Sequence, residues 1–398
     1  MRVLRSACQP EKTKNDIKLK KIILTAVTAL FTMAGFTSCS LVNDDLPECA
    51  PNPNTFTTVN FVYDYNMHYT DLFTNHVGSV YLYVFDNDGV YHLRRELHRS
   101  DMGGKVDFSM TFDTLDLKPG NTYQFVAVAQ ANHVGYEASQ DTPGFTLQTE
   151  MIPGVSKIDD YILKLDRDDD GNFDFGVVDY RDAYGNTETM MDTIWTTKPD
   201  EVQIVEIPKT DYTPSVIQKP DQQVNVTIPM MRITNSIKVN LLSPVINANT
   251  SPDTYNVLID FPFGNGTIDF TGNTQPAQEL YYRALRKSVT KYGETKADPA
   301  DEQYVLHAEF GVSRLQCADN SSLQIRDPES NEILAQIPDF SDFLAEYLAG
   351  DFDDAQEFLD REYDFQIDVT VDKDNNIRYV DLYLLVLGWH VRVQYTDL

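Results

Sequence analysis

Short stretches in which aliphatic side chains alternate with polar or aromatic ones recur along most of the chain. In residues 79–85 valine and leucine alternate with aromatic residues, and the turn sequence Asp-Asn-Asp-Gly follows at 86–89. This pattern predicts a β-strand that leads into a hairpin turn. Its two faces carry Val80, Leu82 and Val84 on one side and Tyr81, Tyr83 and Phe85 on the other. Similar patterns predict strands at 59–65, 106–112, 123–130, 161–165, 202–207, 223–228, 236–242, 255–261, 304–312, 366–371, 379–386 and 391–395.

Helical periodicity is clear in one region near the C-terminus. Apolar residues recur at intervals of three and four over residues 340–348 and again, after Gly350, over residues 352–359. This spacing predicts two short helices that cover one end of a sheet. Because short strands dominate and do not alternate with long helices, the chain is predicted to be all-β, with antiparallel β-sandwiches rather than a parallel sheet.

A proline-containing segment separates the predicted strands into two groups. Pro208, Pro214 and Pro220 punctuate a stretch that lacks apolar periodicity, so this stretch is the best candidate for a linker. Residues 55–219 are therefore predicted to form an N-terminal β-sandwich domain and residues 220–398 a C-terminal one.

The N-terminus carries the pattern of a bacterial lipoprotein signal. Lys18, Lys20 and Lys21 precede a 15-residue apolar segment at 22–36, and Cys39 follows this segment after two small residues. A membrane-spanning helix needs roughly 20 apolar residues, so this shorter segment indicates a cleaved signal. Residues 1–38 are predicted to be removed, Cys39 to become the lipidated first residue, and 39–54 to form a tether.

Alternatives remain open at this end of the chain. The apolar run could be a buried element with Cys39 a free thiol, and the long segment 1–16 leaves the true start codon undetermined. Asp44 and Asp45 follow closely behind Cys39. They resemble the export signal that sends lipoproteins to the outer face of the outer membrane in Bacteroidetes-type bacteria, although a solvated tether without an address is the alternative.

The net charge makes one class of partner unlikely, and the cysteine content limits the possible disulfides. Removal of residues 1–38, which hold seven Lys/Arg and two Asp/Glu, takes the formal net charge from −29 to −34. Such a surface repels phosphate, so nucleic acid is not expected as a partner. After lipidation only Cys49 and Cys317 remain, and these could pair in an oxidising envelope. Their distance in sequence gives no geometric support for a disulfide.

Sequence motifs for catalysis are missing from the chain. The seven histidines follow no nucleophile-base or metalloprotease spacing, and no Gly-x-Ser-x-Gly motif occurs. The protein is therefore expected not to be an enzyme and to need no cofactor. A hydrolase whose two carboxylates meet only in the fold remains an alternative.

One acidic segment could hold a calcium ion. Side-chain oxygens fall at positions 1, 3, 5, 7 and 9 of a calcium loop, with Gly171 at position 6. The candidate ligands are Asp166, Asp168, Asp170, Asn172 and Asp174. Position 12 is Val177 instead of the usual glutamate, and the flanking residues have a strand pattern. An acidic hairpin turn is the alternative.

Several segments in chain order resemble the fimbrillin-associated anchor family of Bacteroidetes fimbriae. The similar segments are Val-Asn-Phe-Val-Tyr-Asp-Tyr-Asn at 59–66, Val-Tyr-Leu-Tyr-Val-Phe-Asp at 80–86, Arg-Ile-Thr-Asn-Ser-Ile at 232–237, Glu-Phe-Leu-Asp-Arg-Glu-Tyr at 357–363 and Gly-Trp-His-Val-Arg at 388–392. They follow the lipoprotein signal and span most of the mature chain. Residues 145–200 and 270–300 contribute nothing to the resemblance.

The resemblance implies two transthyretin-like β-sandwich domains and a non-enzymatic protein that anchors fimbriae to the outer membrane and limits or terminates the filament. Its partners would be fimbrial subunits, which join by completing one another's sheets with a donated strand. The last predicted strand ends three residues before Leu398, so no free tail is expected for donation. A glycan-binding surface lipoprotein, in which exposed aromatic residues stack on sugars, is the alternative function.

Overall fold

The computed structural model describes residues 55–103, 107–132, 136–138, 145–165, 177–182, 187–209, 222–277, 279–292, 303–346, 352, 354–386 and 389–396. The predicted signal, Cys39, the tether and the calcium loop at 166–174 lie outside these residues and stay predictions. Short strands dominate the described residues, and the three α-helices among them are short, which confirms the all-β class. In this part of the chain, no helix is both long enough and apolar enough to cross a bilayer.

The first domain is built on one curved sheet with the strand order β3-β2-β5-β11-β13-β1-β4, and β12 pairs with β5 beyond the end of β11. Its strands are β1 (Thr55–Val62), β2 (Val77–Asp86), β3 (Tyr91–His98), β4 (Met110–Phe112), β5 (Thr122–Ala131), β11 (Ile194–Thr197), β12 (Gln203–Glu206) and β13 (Gln222–Arg232). Helix α1 (Phe73–His76) connects β1 to β2. The sheet curls around one apolar cluster, which contains Phe112, Phe125 and Trp195.

The alternation at 79–85 predicts a strand with an aliphatic and an aromatic face, and in the structure both faces of the central pair β2 and β5 are buried. The aliphatic residues Val80, Leu82 and Val84 point into the cluster inside the curved sheet. Tyr83 and Phe85 point the other way and belong to a second, larger cluster. A strand between two apolar layers therefore needs apolar residues at every position, which explains why residues 79–85 lack polar side chains after Ser79.

A small three-stranded sheet covers the aromatic face of β2 and links the two halves of the chain. Its order is β16-β8-β7, with β7 (Phe145–Leu147), β8 (Ile162–Leu165) and β16 (Thr267–Asp269). Tyr161 packs its ring edge-on against Tyr83 at 5.0 Å between ring centroids. Because β16 comes from the second half of the chain and β8 from the first, backbone hydrogen bonds hold the halves together here.

The second domain packs a six-stranded sheet against a four-stranded one. The larger sheet has the order β18-β19-β14-β22-β23-β24 and the smaller one β17-β15-β20-β21. The strands are β14 (Thr234–Leu242), β15 (Asn256–Phe261), β17 (Leu280–Arg283), β18 (Arg286–Tyr292), β19 (Gln303–Ser313), β20 (Ser322–Arg326), β21 (Ile333–Pro338), β22 (Asp364–Val371), β23 (Ile377–Val386) and β24 (Trp389–Thr396). A separate three-stranded sheet consists of β10 (Thr187–Met191), β9 (Val177–Asp182) and β6 (Tyr136–Ala138), and its strand β10 contacts β19.

The predicted pair of helices is present at one end of the second domain. Helix α2 (Phe340–Glu346) and helix α3 (Ala355–Arg361) bury Phe340, Leu344 and Phe358 in the larger apolar cluster. The Asp354 side chain accepts a hydrogen bond from the Gln356 amide at 2.9 Å and caps α3. The helical spacing in the sequence thus predicts both the location and the buried face of these elements.

The chain passes from the first sheet to the second at a single residue, Ile233. Strand β13 pairs with β1 and β11 in the first sheet, whereas β14 pairs with β19 and β22 in the second. Sheet membership changes at Ile233, whereas the boundary predicted at 219/220 lies outside the described residues and stays a prediction. The Pro229 carbonyl accepts from the Lys198 amide at 2.8 Å, and the neighbouring Met230 pairs with Thr197, so β13 runs on through the proline.

Two strand pairs are parallel in a fold predicted to be antiparallel. Strand β1 runs parallel to β13, and β14 runs parallel to β22. Parallel neighbours need a long crossover between them, and well over a hundred residues separate the strands of each pair. The alternation of side chains predicts a strand but carries no information about which distant strand it joins.

Candidate functional site at the domain junction

Clusters of polar and aromatic side chains lie where the two domains meet. Two of the sequence segments that resemble the anchor family, 232–237 and 357–363, come together at this junction. A third, 59–66, reaches it from the first domain. The junction contains three polar clusters.

A rigid loop of the first domain presents two tyrosines to helix α3. The buried Asn66 amide donates to the carbonyls of Tyr63 and Thr70, both at 2.9 Å, which closes the loop on itself. The Arg361 guanidinium of α3 lies 4.1 Å from the ring centroid of Tyr65 and 4.6 Å from that of Tyr69. Arg361 Nη1 also donates to the Asn66 carbonyl at 3.4 Å. Stacking of one cation on two rings joins the domains across this contact.

The geometry around Arg361 gives a prediction for the strength of the junction. Arg361→Ala removes both cation–π contacts and is expected to lower the free energy of unfolding by about 1–2 kcal/mol. Arg361→Lys keeps the charge but loses the planar stacking, so it should recover less than half of that loss. Chemical denaturation of the full chain measures both values.

Limited proteolysis separates a local effect on the junction from general destabilisation. Cleavage within residues 64–70 should become faster in Arg361→Ala, because the loop loses its cover. Arg326→Ala removes a longer cation–π contact of 5.9 Å to Tyr281 inside the second domain and serves as the matched control. Equal cleavage rates in the two variants would contradict the junction role of Arg361.

A second cluster surrounds the passage at Ile233. The Arg232 guanidinium lies 4.2 Å from the centroid of the Tyr363 ring, and Arg232 Nε donates to the Thr234 carbonyl at 2.8 Å. The Ser236 amide donates to the Tyr363 carbonyl at 2.7 Å. The residues on both sides of the passage are therefore tied to the start of β22.

Glu362 is a buried carboxyl beside this passage. Its Oε1 accepts from the amides of Tyr363 and Asp364 at 2.9 and 3.0 Å, and its buried Oε2 has no hydrogen-bond partner among the described residues. Burial raises the pKa of Glu362 to about 7, although the two amide donors and Arg232 oppose the change. This group therefore titrates near neutral pH.

The third cluster is a buried ion pair between the β19–β20 connection and α3. Arg314 and Asp360 form two parallel hydrogen bonds of 2.7 Å, and their side chains are only 5% and 6% exposed. Arg314 Nη1 also donates to the Gly272 carbonyl at 2.9 Å. Gly272 has φ of +80°, and a Cβ there would lie 2.8 Å from the carbonyl oxygen of Thr197 in the first domain. Only glycine suits this close approach, so Arg314 holds a turn that contacts the other domain.

A cavity of about 210 Å³ opens at the junction. Its lining includes Asp192 and Arg232 from the first domain and Arg286, Glu309 and Gly311 from the second. A Cβ on Gly311 would collide with the Met191 side chain, so the domains are in close contact at the edge of the cavity. The volume is below the range of about 300–1,000 Å³ that is typical of ligand pockets.

Two further residues singled out in the sequence are Cys317 and Trp389. Cys317 is described and is disulfide-bonded, and its partner lies outside the described residues. The side chain of Trp389 also lies outside them, whereas Trp195 is buried in the first domain. Within the described ranges, no three His, Cys, Asp or Glu residues form a group that could hold a metal ion.

The exposed aromatic residues of the described ranges do not share one element. They lie on β1, on the 63–70 loop, after β15, on β18 and on β23. The side chains are Phe56, Tyr69, Phe263, Tyr292 and Tyr379. Tyr292 donates to the Asp368 carboxylate at 3.2 Å, so its ring lies across the outer face of the six-stranded sheet.

Fold and junction together define a two-domain β-sandwich protein whose domains are joined by a strand pair and by cation–π contacts. The model of the family "Fimbrillin-A associated anchor proteins Mfa1 and Mfa2" matches residues 46–395, and the chain belongs to this family. The family confirms the resemblance found in the sequence and gives the chain a fimbria-associated, structural role at the cell surface.

Several solved structures have this fold. A candidate adhesin of Bacteroides thetaiotaomicron has a TM-score of 0.60 at 21% identity, covering 87% of this chain and 99% of that chain. A candidate polysaccharide binding protein of the same organism has a TM-score of 0.59 at 24% identity, with coverage of 85% and 98%. The fimbrial anchor protein Mfa2 of Porphyromonas gingivalis has a TM-score of 0.52 at 16% identity, with coverage of 84% and 98%. No curated protein sequence matches the chain.

Proposed function

We propose that this protein is a lipid-anchored component of the outer membrane that holds the base of a fimbria and terminates its assembly. The observation that carries the proposal is the family match over residues 46–395, which spans both domains and their junction. Cys39 is the proposed lipid attachment site, and fimbrial subunits are the proposed partners. The protein would support adhesion by keeping the filament on the cell.

The pairing of the first and last described strands supports a role at a filament end. Strand β1 has β13 on one side and β4 on the other, so both of its edges are occupied where β4 reaches. Strand β24 pairs with β23 along all of its eight residues. Donation of β1 or β24 would require release of that strand from its own sheet, and release would break these ladders. These two strands are therefore poor donors.

The junction supports a mechanical role. An anchor transmits tension between the membrane and the filament, and a flexible connection between its domains would yield first. In this chain the connection is a single buried residue, and the contacts of Arg361, Arg232 and Arg314 reinforce it. Tension is therefore spread over many contacts instead of one linker.

The test compares the distribution of fimbrial subunit between cells and culture medium in wild type and in a Cys39→Ala strain. We expect filaments of the variant in the medium, intact and of equal or greater length, because the lipid no longer retains them. Cys8→Ala, the same substitution within the predicted leader, is the matched control and should leave filaments on the cells. Immunoblotting must show equal amounts of both variants.

Filaments that stay on cells of the Cys39→Ala strain, with the variant protein exported and folded, would contradict the anchor function. The glycan-binding alternative would then be examined with purified protein and an array of oligosaccharides. It finds less support at present, because the described exposed aromatic residues are scattered and the junction cavity is small.

A further inference from the structure

Most of the exposed apolar side chains in the first half of the chain lie at one end of the curved sheet. Their exposed fractions range from 37% to 81%, and the residues are Phe56, Ile152, Ile204, Val155 and Leu115. Within the described part of this half, Tyr69 at the domain junction is the exception among the large apolar residues. Single exposed apolar residues are common on protein surfaces, whereas a group of them at one end indicates a contact surface.

Strand directions place these residues at the end of the sheet where β1 begins. Strand β13 is parallel to β1, and β5 runs the same way because β5 and β13 are both antiparallel to β11. Strand β4 is antiparallel to β1, with Phe112 opposite Thr57, so the segment 113–121 that follows it lies beyond the start of β1. Strand β12 is antiparallel to β5 and ends here as well. We call this end the β1 pole, which comprises Phe56 and the loops at 113–121 and 151–158.

The two loops of the β1 pole are joined through the start of β3. His92 Nε2 donates to the Asp116 carbonyl at 2.7 Å, which fixes the first loop. The neighbouring Tyr91 amide donates to the Ser156 carbonyl at 2.7 Å, which fixes the second loop. One strand therefore holds both loops, and their exposed tips keep a fixed spacing.

The composition of the loop tips is that of a surface that contacts lipid. Residues 152–155 are Ile-Pro-Gly-Val, all four are exposed and uncharged, and Lys157 follows them. In the other loop, Leu115 is followed by Lys118 and Pro119. Turns usually expose polar residues instead. Apolar side chains of this kind can enter the acyl region of a bilayer while nearby lysines extend to the headgroups.

We propose that the β1 pole rests on the outer membrane, with Leu115, Ile152 and Val155 inserted among the lipid acyl chains. The inference rests on the proposed function, because the lipid on Cys39 would hold the chain at the membrane. Cys39 precedes Thr55, the first residue of β1, by 16 residues. A flexible segment of that length spans about 22 Å on average. The membrane is therefore the surface nearest to the β1 pole.

Attraction between charges does not explain this contact. The chain is strongly acidic, and Asp88 and Glu206 lie at the same end of the sheet as the apolar tips. The apolar side chains must therefore supply the binding energy. Contact is expected on uncharged phosphatidylcholine and should not weaken as the salt concentration rises.

The contact would set the orientation of the chain on the membrane. Strand β13 begins at the β1 pole and ends at Arg232 in the domain junction. Its 11 residues span about 36 Å, so the second domain would begin about this far from the lipid surface. The lipid alone fixes the position of the chain but leaves its tilt free. Insertion of two loop tips would hold the first domain upright and point the second domain away from the membrane.

Quenching of tryptophan fluorescence by lipid tests the contact. The lipidated chain is purified from its own membranes and reconstituted into phosphatidylcholine vesicles whose acyl chains carry bromine, which quenches tryptophan only at close range. Leu115→Trp and Val155→Trp should each show a quenched component that the parent chain, in which Trp195 is buried, does not show. Ile333→Trp, at an exposed position on β21, is the matched control and should stay unquenched.

A second substitution tests whether the two loop tips insert together. In the Leu115→Trp chain, Val155→Asp should reduce the quenching on the order of twofold or more, because a charge resists burial in the bilayer. Ile333→Asp in the same chain should leave the quenching unchanged. Equal quenching with Val155→Asp and with Ile333→Asp would contradict joint insertion of the tips.

The outcomes separate the membrane contact from the lipid anchor. Quenching at Leu115→Trp and Val155→Trp no stronger than at Ile333→Trp, in chains that carry lipid on Cys39 and float with the vesicles, would overturn the contact and leave the anchor intact. Quenching that is lost at high salt would also overturn it, as would tips that become shielded only when fimbrial subunit is added. Chains without lipid on Cys39 would overturn the proposed function and this inference with it.

Discussion

Replacing Arg314 with methionine should lower the free energy of unfolding by about 3–5 kcal/mol. The substitution leaves the Asp360 carboxylate buried without its cation, and a buried charge that loses its partner is strongly destabilising. It also removes the hydrogen bond to the Gly272 carbonyl, which holds the turn against the first domain. Chemical denaturation of the full chain is the appropriate measurement.

Two further variants make this expectation specific. The double variant Arg314→Met, Asp360→Leu removes both charges and should regain most of the loss, since a buried ion pair often contributes little more than an apolar pair. Arg286→Met breaks an ion pair to Glu309 whose side chains are 53% and 41% exposed, so it should change stability by at most about 1 kcal/mol. A loss in Arg314→Met no larger than in Arg286→Met would contradict the importance of burial.

Glu362→Gln should remove a pH dependence of stability between about pH 4.5 and pH 7. The carboxyl has a pKa of about 7 in the folded chain, above its ordinary value of 4.5. The folded state therefore binds the proton more tightly than the unfolded state. The stabilisation is complete below pH 4.5 and is lost as the pH rises to 7 and above. Linkage gives a total on the order of 3 kcal/mol.

Denaturation midpoints between pH 5 and pH 8.5 measure this effect. Wild type should lose stability across the range, while Glu362→Gln should stay nearly constant and exceed wild type at pH 8.5. Glu329→Gln changes an exposed glutamate and should retain the wild-type slope. Parallel slopes in wild type and Glu362→Gln would show that the carboxyl does not titrate near neutral pH.

The sequence predicts the elements whose apolar residues follow a clear period, which is two residues in a strand and three to four in a helix. The alternation at 79–85 predicts both faces of β2, and the spacing after Phe340 predicts both helices. Strand β18 was not predicted, because its residues Arg-Lys-Ser-Val-Thr-Lys-Tyr carry polar side chains on both faces. Only the pairing with β19 makes it a strand.

The junction was accessible to sequence reasoning only as separate pieces. The segments that contain Arg232 and Arg361 stand out through the family resemblance, but their partners Tyr363, Tyr65 and Tyr69 follow from the three-dimensional fold. The pairing of Arg314 with Asp360 could not be predicted from the sequence. The two residues are far apart in the chain, and the sequence does not show which of its many acidic residues contacts Arg314. Long-range contacts of this kind depend on the order of strands in the sheets. The alternation of apolar and polar residues along a strand does not show that order.

Strand β5 has consequences for the cooperativity of unfolding. Phe125 and Ala127 belong to the apolar cluster inside the first domain, whereas Val126 and Val128 belong to the cluster that continues into the second. Neither cluster can open without exposing one side of this strand to water. The two domains should therefore melt in one transition, and the amide hydrogens of β5 should exchange with solvent only on global unfolding. In folding terms the chain behaves as one cooperative unit although its architecture has two domains.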